Sequence, residues 1–357
     1  MSVVIAILIF ALIILIHEIG HFSAAKLFKM RVFSFNLGMG PVLLRKRGKE
    51  TVYQIKAIPF GGSVQLGEDE DEETEDPRAF RNKPVWQRAI VIVAGAVMNI
   101  VLGFVLCLII TSMNERVDTT EIRGFREGAV SNQLLQAGDR ITHINGMRIF
   151  TWMDVSYQFV NTEMKMAEDE YTVVFDFTVI RNGEKVHLHD VPFLTRPSRS
   201  EEGKMAIVLD FGMVFEDKTF FNVISRALGE TISLSRIIIM TLFDLIRGTY
   251  GLNDIAGPVG VVSAIGEVSS KGFAESFIAG IKSALFMAAL ISVNVGIFNL
   301  LPIPALDGAR IVFFIIEAIR RKPLKAEVEG MIHFIGFAAL MLFMLLITVL
   351  DIGKLIS

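Results

Sequence analysis

The sequence is poor in cysteine and in charge. Its one cysteine, Cys107, sits inside an apolar run, so neither an intramolecular disulfide nor a cysteine-rich metal site can form. Charged residues make up 20% of the 357, below the roughly 25% of an average soluble chain. There is no basic excess. Against 35 Lys and Arg stand 38 Asp and Glu, a net charge of −3, which excludes a nucleic-acid binder working through a basic surface. The first apolar run lacks the basic residues that open a signal peptide, and no small-x-small cleavage site follows it. It reads as a retained membrane helix.

What the chain has in quantity is clumped apolar sequence. Hydrophobic residues reach 52%, and stretches 3–16, 89–110, 281–301 and 332–350 are nearly free of charge. Runs of that kind belong in a bilayer. The expected fold is a polytopic α-helical membrane protein with four spans, at roughly 2–27, 87–112, 281–302 and 331–351. The 26–88 connection carries 12 Lys and Arg, and Arg320, Arg321, Lys322 and Lys325 follow the third span, so both are expected on the cytoplasmic side. The long 113–219 region has 12 basic and 18 acidic residues and is expected outside, with both termini.

Between the first two spans, Ser34-Phe35-Asn36-Leu37-Gly38-Met39-Gly40-Pro41, Thr51-Val52-Tyr53-Gln54-Ile55 and Ile58-Pro59-Phe60-Gly61-Gly62-Ser63-Val64-Gln65-Leu66 read as short strands around Gly-rich turns. The acidic run from Glu68 to Asp76 reads as a solvated loop. Residues 116–196 look like a small inserted α+β domain. Residues 129–135 read as a short helix, and Asn182-Gly183 between two strand patterns is a hairpin signal. The Ala137-Gly138-Asp139-Arg140-Ile141 run ending at Ile144-Asn145-Gly146 resembles a PDZ domain. The expected division is therefore 1–115 and 281–357 as two halves of a membrane core, 116–196 as the inserted domain, and 197–280 as a linker with amphipathic helices. In that linker Arg226, Glu230, Arg236, Asp244 and Arg247 interrupt the apolar residues of 219–248 too often for a span, and an interfacial helix is expected.

The chemistry sits at the end of the first span. In His17-Glu18-Ile19-Gly20-His21 the two histidines lie four apart, so on a helix both project from one face and can ligate one zinc ion, with Glu18 beside them to activate a water. Three ionisable groups at membrane depth are costly and point to function. Zinc needs a third protein ligand. His143, His187 and His189 fall in the inserted domain, and His333 reads as an interfacial polar residue at the mouth of the fourth span. Asp307 is the better candidate. It follows Pro302 and Pro304, which break the third span, and non-helical backbone at that depth must line a protein cavity. Taken alone, Asp307 could equally cap a helix.

Together these pieces resemble the site-2 protease family of intramembrane zinc metalloproteases, and its bacterial RseP-like branch in particular. The resemblance rests on His-Glu-x-x-His at 17–21 and Asn-x-x-Pro-x-Pro-x-Leu-Asp-Gly at 299–308. It is supported by Gly-Met-Gly-Pro at 38–41, Ile-Pro-Phe-Gly-Gly at 58–62, Lys-Pro-Val-Trp-Gln-Arg at 83–88, Ala-Gly-Ala-Val-Met-Asn at 94–99 and Gly-Pro-Val-Gly at 257–260. Ala96 stands where proline is usual, and Ala309-Arg310 replaces a common Gly-His. There is room for one PDZ-like domain where some members have two.

The resemblance implies that His17, His21 and Asp307 bind Zn²⁺ and that Glu18 is the general base. It implies that Asn294, and more weakly Asn299, bind substrate backbone, and that Pro302 holds the broken helix. The segment with Gly61 and Gly62 would be a membrane-re-entrant β element offering an edge strand. It further implies a multi-pass protein of the bacterial inner membrane, cutting single-span membrane proteins already shortened by another protease, such as anti-sigma factors or remnant signal peptides. Two competing readings are a membrane peptidase whose third ligand is a distal glutamate, and a scaffold presenting a PDZ domain with a relic metal site. The first lacks its later Glu-x-x-x-Asp helix; the second should have lost Glu18 or Asp307, and both are present. Oligomeric state stays open.

Overall fold

The computed structural model describes residues 2–66, 76–163, 171–197, 205–248, 255–322 and 324–356. The acidic run, Asp76 apart, lies outside them. The chain forms two compact units, one of Met1–Leu106 with Ile238–Ser357 and one of Cys107–Ile237.

Four helices are long and apolar enough to cross a membrane: α1 (Ser2–Leu27), α2 (Val85–Met113), α6 (Phe277–Asn299) and α8 (Ala326–Ile356). About 20 residues at 1.5 Å each cover the hydrocarbon core, and all four exceed that. They belong to the first unit, save the end of α2. The third starts earlier and ends sooner than the expected 281–302. Ser276 caps it, its side chain accepting the Ala279 N–H at 3.0 Å, and Pro302 cannot continue it. After the break, α7 (Asp307–Arg320) begins at Asp307 itself. Ahead of α6, Pro258 opens the short α5 (Pro258–Glu275).

The connection from α1 to α2 folds as a small sheet. Strands β1 (Ser34–Arg47) and β2 (Val52–Gln65) each bend, so that four short runs lie side by side. Run 34–37 pairs in parallel with 52–55 and antiparallel with 62–65, while 44–47 pairs antiparallel with 52–55. Among the described residues, 62–65 has a hydrogen-bonded neighbour on one side only. Alternation gives the sheet two faces. One carries Phe35 and Tyr53, whose rings meet Phe22 of α1 at 5.6 and 6.2 Å. The other is polar.

The second unit holds a seven-stranded antiparallel sheet in the order β8-β7-β6-β4-β3-β9, with β5 beside β4. Its strands are β3 (Arg116–Phe125), β4 (Arg140–Ile144), β5 (Met147–Arg148), β6 (Thr172–Arg181), β7 (Glu184–Pro197), β8 (Met205–Ile207) and β9 (Phe211–Asp217). One helix, α3 (Trp152–Glu163), covers it. Phe159 of that helix stacks on Phe175 at 4.6 Å, in a core with Phe177, Phe193 and Phe211. Asn182 and Gly183, at φ +52° and +85°, make the tight turn between β6 and β7 that their sequence announces.

Two details differ from expectation. The sheet does not stop at 196: β8 pairs with β7, and β9 pairs with β3 along most of its length. The short helix expected at 129–135 shrinks to a 3-10 turn at Ser131–Gln133. There Asp210 accepts the N–H groups of Val130 and Ser131 and the Ser131 hydroxyl, drawing the backbone out of an α-helix. Helix α4 (Phe220–Ile246) follows. Within the second unit its Arg226 pairs with Asp118 and Glu230, and its Arg236 with the fully buried Asp154. These charges therefore have protein partners, where the sequence suggested a lipid–water interface.

Candidate metal centre

Helical spacing brings His17 and His21 to one face of α1, and the broken third span brings Asp307 to meet them. The two Nε2 atoms are 3.0 Å apart, and Asp307 Oδ2 lies 3.1 Å from the first and 3.3 Å from the second. Zinc bonded at about 2.0–2.1 Å in a tetrahedron sets its donors about 3.3 Å apart. The triangle has that size.

Protonation decides what the triangle can hold. His21 Nδ1 donates to the Val91 carbonyl at 2.8 Å, which leaves its Nε2 with a bare lone pair. His17 Nδ1 lies 3.3 Å from the Asn99 side-chain amide. Asn99 is fully buried, and its Oδ1 has no partner as oriented. Amide oxygen and nitrogen are assigned from their surroundings, and turning this one over lets Oδ1 accept the His17 Nδ1–H. Both histidines then aim lone pairs at a buried carboxylate oxygen that accepts no hydrogen bond. Three acceptors at 3.0–3.3 Å repel one another unless a cation stands among them. His17, His21 and Asp307 thus fit a zinc ion.

Helix α2 supplies the support. Val91, Gly95 and Asn99 recur every four residues and share a face. A methyl group on Gly95 would lie 2.6 Å from His21 Cε1 and 2.8 Å from His17 Cε1, so only glycine admits both rings. Gly20 of α1 meets Ala94 and Gly95 just as closely. No spacing in the sequence ties Asn99 to the two histidines. The signal was available, since an amide inside a span is costly without a partner.

Glu18 is 8% exposed and lies against the edge run of β2. A Cβ on Gly62 would stand 2.6 Å from Glu18 Cγ and 3.0 Å from Oε1. Gly61, at φ +79°, packs on Met39. The remaining expected residues are placed as follows. Asn294 and Asn299 are half-buried on α6 and make no side-chain hydrogen bond among the described residues. Pro302 is exposed in the break. His187 and His189 are exposed and His143 half-buried in the second unit. His333 does have a task near the centre, since its Nδ1 accepts the Ala305 N–H in the loop before Asp307.

The sequence profile of peptidase family M50 matches residues 5–343. The chain belongs to that family. It is 34% identical to a Fusobacterium nucleatum protein and 32% identical to one from Clostridium acetobutylicum, both carrying provisional zinc metalloprotease names. The alignments cover all of both chains in the first case, and 98% of this chain and 97% of the relative in the second. The regulator of sigma-W protease RasP of Bacillus subtilis is 28% identical over 99% of each chain. As an M50 peptidase the protein is a membrane-embedded zinc metalloendopeptidase of the site-2 protease type.

Proposed function

We propose that this M50 peptidase cuts the membrane-spanning segments of single-span proteins in the bacterial inner membrane. His17, His21 and Asp307 would hold the zinc and Glu18 would be the general base. The observation that carries this is the convergence of three lone pairs at 3.0–3.3 Å beside a buried glutamate.

Bound zinc supplies Lewis acidity, acidifying a water and polarising the carbonyl of the bond to be cut. Glu18 takes the proton from the attacking water and passes it to the leaving amine. Asn99 and Val91 fix the two imidazoles so that Nε2 faces inward. A helical substrate hides its carbonyls in its own hydrogen-bond ladder, so it must be unwound first. The open side of run 62–65 suits an extended segment, which would gain a strand's hydrogen bonds beside Glu18. Asn294 would hold substrate backbone, with Asn299 a lesser contributor and Pro302 fixing the broken helix.

The charge pattern supports a centre near the cytoplasmic face and the 113–219 region outside. The domain at 116–196 within it, read as PDZ-like, would act as a size filter or a reader of new C-termini on substrates another protease has shortened. Anti-sigma factors and remnant signal peptides are the substrate classes proposed.

The deciding experiment is cleavage of a short single-span substrate by purified wild type and Glu18→Gln, with zinc measured on both. Cutting by wild type alone, with zinc in both, is expected. No cutting by either, despite bound zinc and several substrates, would move the protein to the scaffold reading.

A further inference from the structure

The polar face of the β1–β2 sheet is concave and unusually basic. It bounds a cavity of about 780 Å³. Arg45, Arg47 and Lys56 project from the strands, with Arg31, Lys49 and Arg78 around them, and among the described residues Glu50 is the one acid on the wall. Six cations to one anion is a local bias, because the whole chain has more acids than bases. An ordinary solvated sheet face mixes its charges.

The rim is partly neutralised. Arg31 lies 3.6 Å from Asp76 and 4.5 Å from the Phe33 ring. Arg78 reaches Glu50 at 3.2 Å, and Glu50 also takes Lys26 at 2.8 Å. Arg45, Arg47, Lys49 and Lys56 make no ion pair among the described residues. Like charges gathered in a concavity focus a positive potential and favour an anion.

Position narrows which anion. Arg31 comes four residues after Leu27, the end of the first span. The same sheet exposes Leu43 and Leu44, 64% and 65% accessible, with Met39, Val42 and Ile58 nearby. Apolar residues beside a basic cavity at the end of a span match the layering of a bilayer, acyl chains next to phosphates. A transmembrane polypeptide is a poorer match. Its flank on this basic side carries Lys and Arg of its own by the positive-inside rule.

We propose that this face binds the phosphate headgroup of an anionic phospholipid, with Arg45, Arg47 and Lys56 on the phosphate and the Leu43–Leu44 region against the acyl chains. The site is separate from the metal triangle and does not depend on the protease reading.

The test uses the full chain in zwitterionic detergent, titrated with dioleoyl phosphatidylglycerol or dioleoyl phosphatidylcholine and followed by native mass spectrometry. Wild type should retain the glycerol lipid and not the choline lipid. Arg45→Gln/Arg47→Gln/Lys56→Gln should weaken retention on the order of a hundredfold, taking roughly a fivefold loss per cation near a surface. Zinc content and thermal midpoint without lipid check the fold, and Arg47→Glu alone serves should the triple variant not fold. Equal retention by wild type and variant would overturn the proposal. So would inorganic phosphate competing at equal concentration, which would make the site one for free phosphate. Retention that appears only after the acids at 68–75 are neutralised would show the chain's own acidic run to be the occupant and likewise overturn it.

Discussion

His333 Nδ1 accepts the main-chain N–H of Ala305 at 3.0 Å, so a side chain of α8 ties down the loop that delivers Asp307. The loop needs tying. Ala305 sits at φ +77°, a region that costs a non-glycine residue about 1–3 kcal/mol. The His333 ring also stands edge-on to Phe313 of α7 at 5.4 Å, and Gly336, one turn on, lies against Pro304. His333→Ala should therefore speed zinc loss about tenfold while leaving helix content intact. His333→Asn, whose Oδ1 can stand in for Nδ1, should recover most of the retention. Zinc release into a chromogenic chelator measures both. Equal release from the two variants would remove the hydrogen bond from the account.

Asn99 acts on the other side of the centre. With its amide oxygen on the His17 Nδ1–H it holds one tautomer, and losing such a partner typically costs 10–100-fold in metal affinity. Asn99→Ala should fall in that range in a competition titration, and Asn99→Asp, which keeps an acceptor, should not. Full affinity in Asn99→Ala would mean that His17 is oriented by packing alone.

How far the sequence reached follows from where each partner lies. His17, Glu18 and His21 are legible because the helix repeat places them together within one turn. Asp307 is legible because Pro302 and Pro304 break an apolar run just before it. Asn99 is not, since its meaning depends on a helix crossing that no local pattern encodes. The same holds for the second unit. The β6–β7 hairpin announces itself in Asn182-Gly183, whereas β9 finds its partner β3 far back in the chain, and no local pattern separates it from a linker. Arg226 and Arg236 suggested a water-facing helix side, because Asp118 and Asp154 come together with them only on folding.

Gly95→Ala tests the closest contact at the centre. The added methyl would overlap both imidazoles, and α2 has little room to retreat because Gly20 already touches Ala94 and Gly95. Zinc stoichiometry should fall well below one per chain, with activity lost in parallel, while Ala96→Gly, on the same helix, should leave the stoichiometry alone. Normal zinc in Gly95→Ala would show that the two helices can part without disturbing the ligands.

Arg88 and Glu317 form the pair that joins α2 to α7, the helix on which Asp307 is the first residue. Arg88 is 7% exposed, donates its Nε–H to the Lys83 carbonyl at 3.0 Å, and lies 5.0 Å from the Phe314 ring. Removing one member of a buried pair strands the other charge, at a cost of about 3–5 kcal/mol, whereas replacing both with apolar groups of similar size costs far less. Glu317→Ala should thus lower the thermal midpoint sharply and loosen zinc, because α7 loses its anchor to the helix that carries Asn99. Arg88→Met/Glu317→Leu should regain most of the midpoint. If it regains the zinc affinity as well, the pair matters as packing between α2 and α7. If the midpoint returns and the affinity does not, the charges themselves set the angle at which Asp307 meets the histidines.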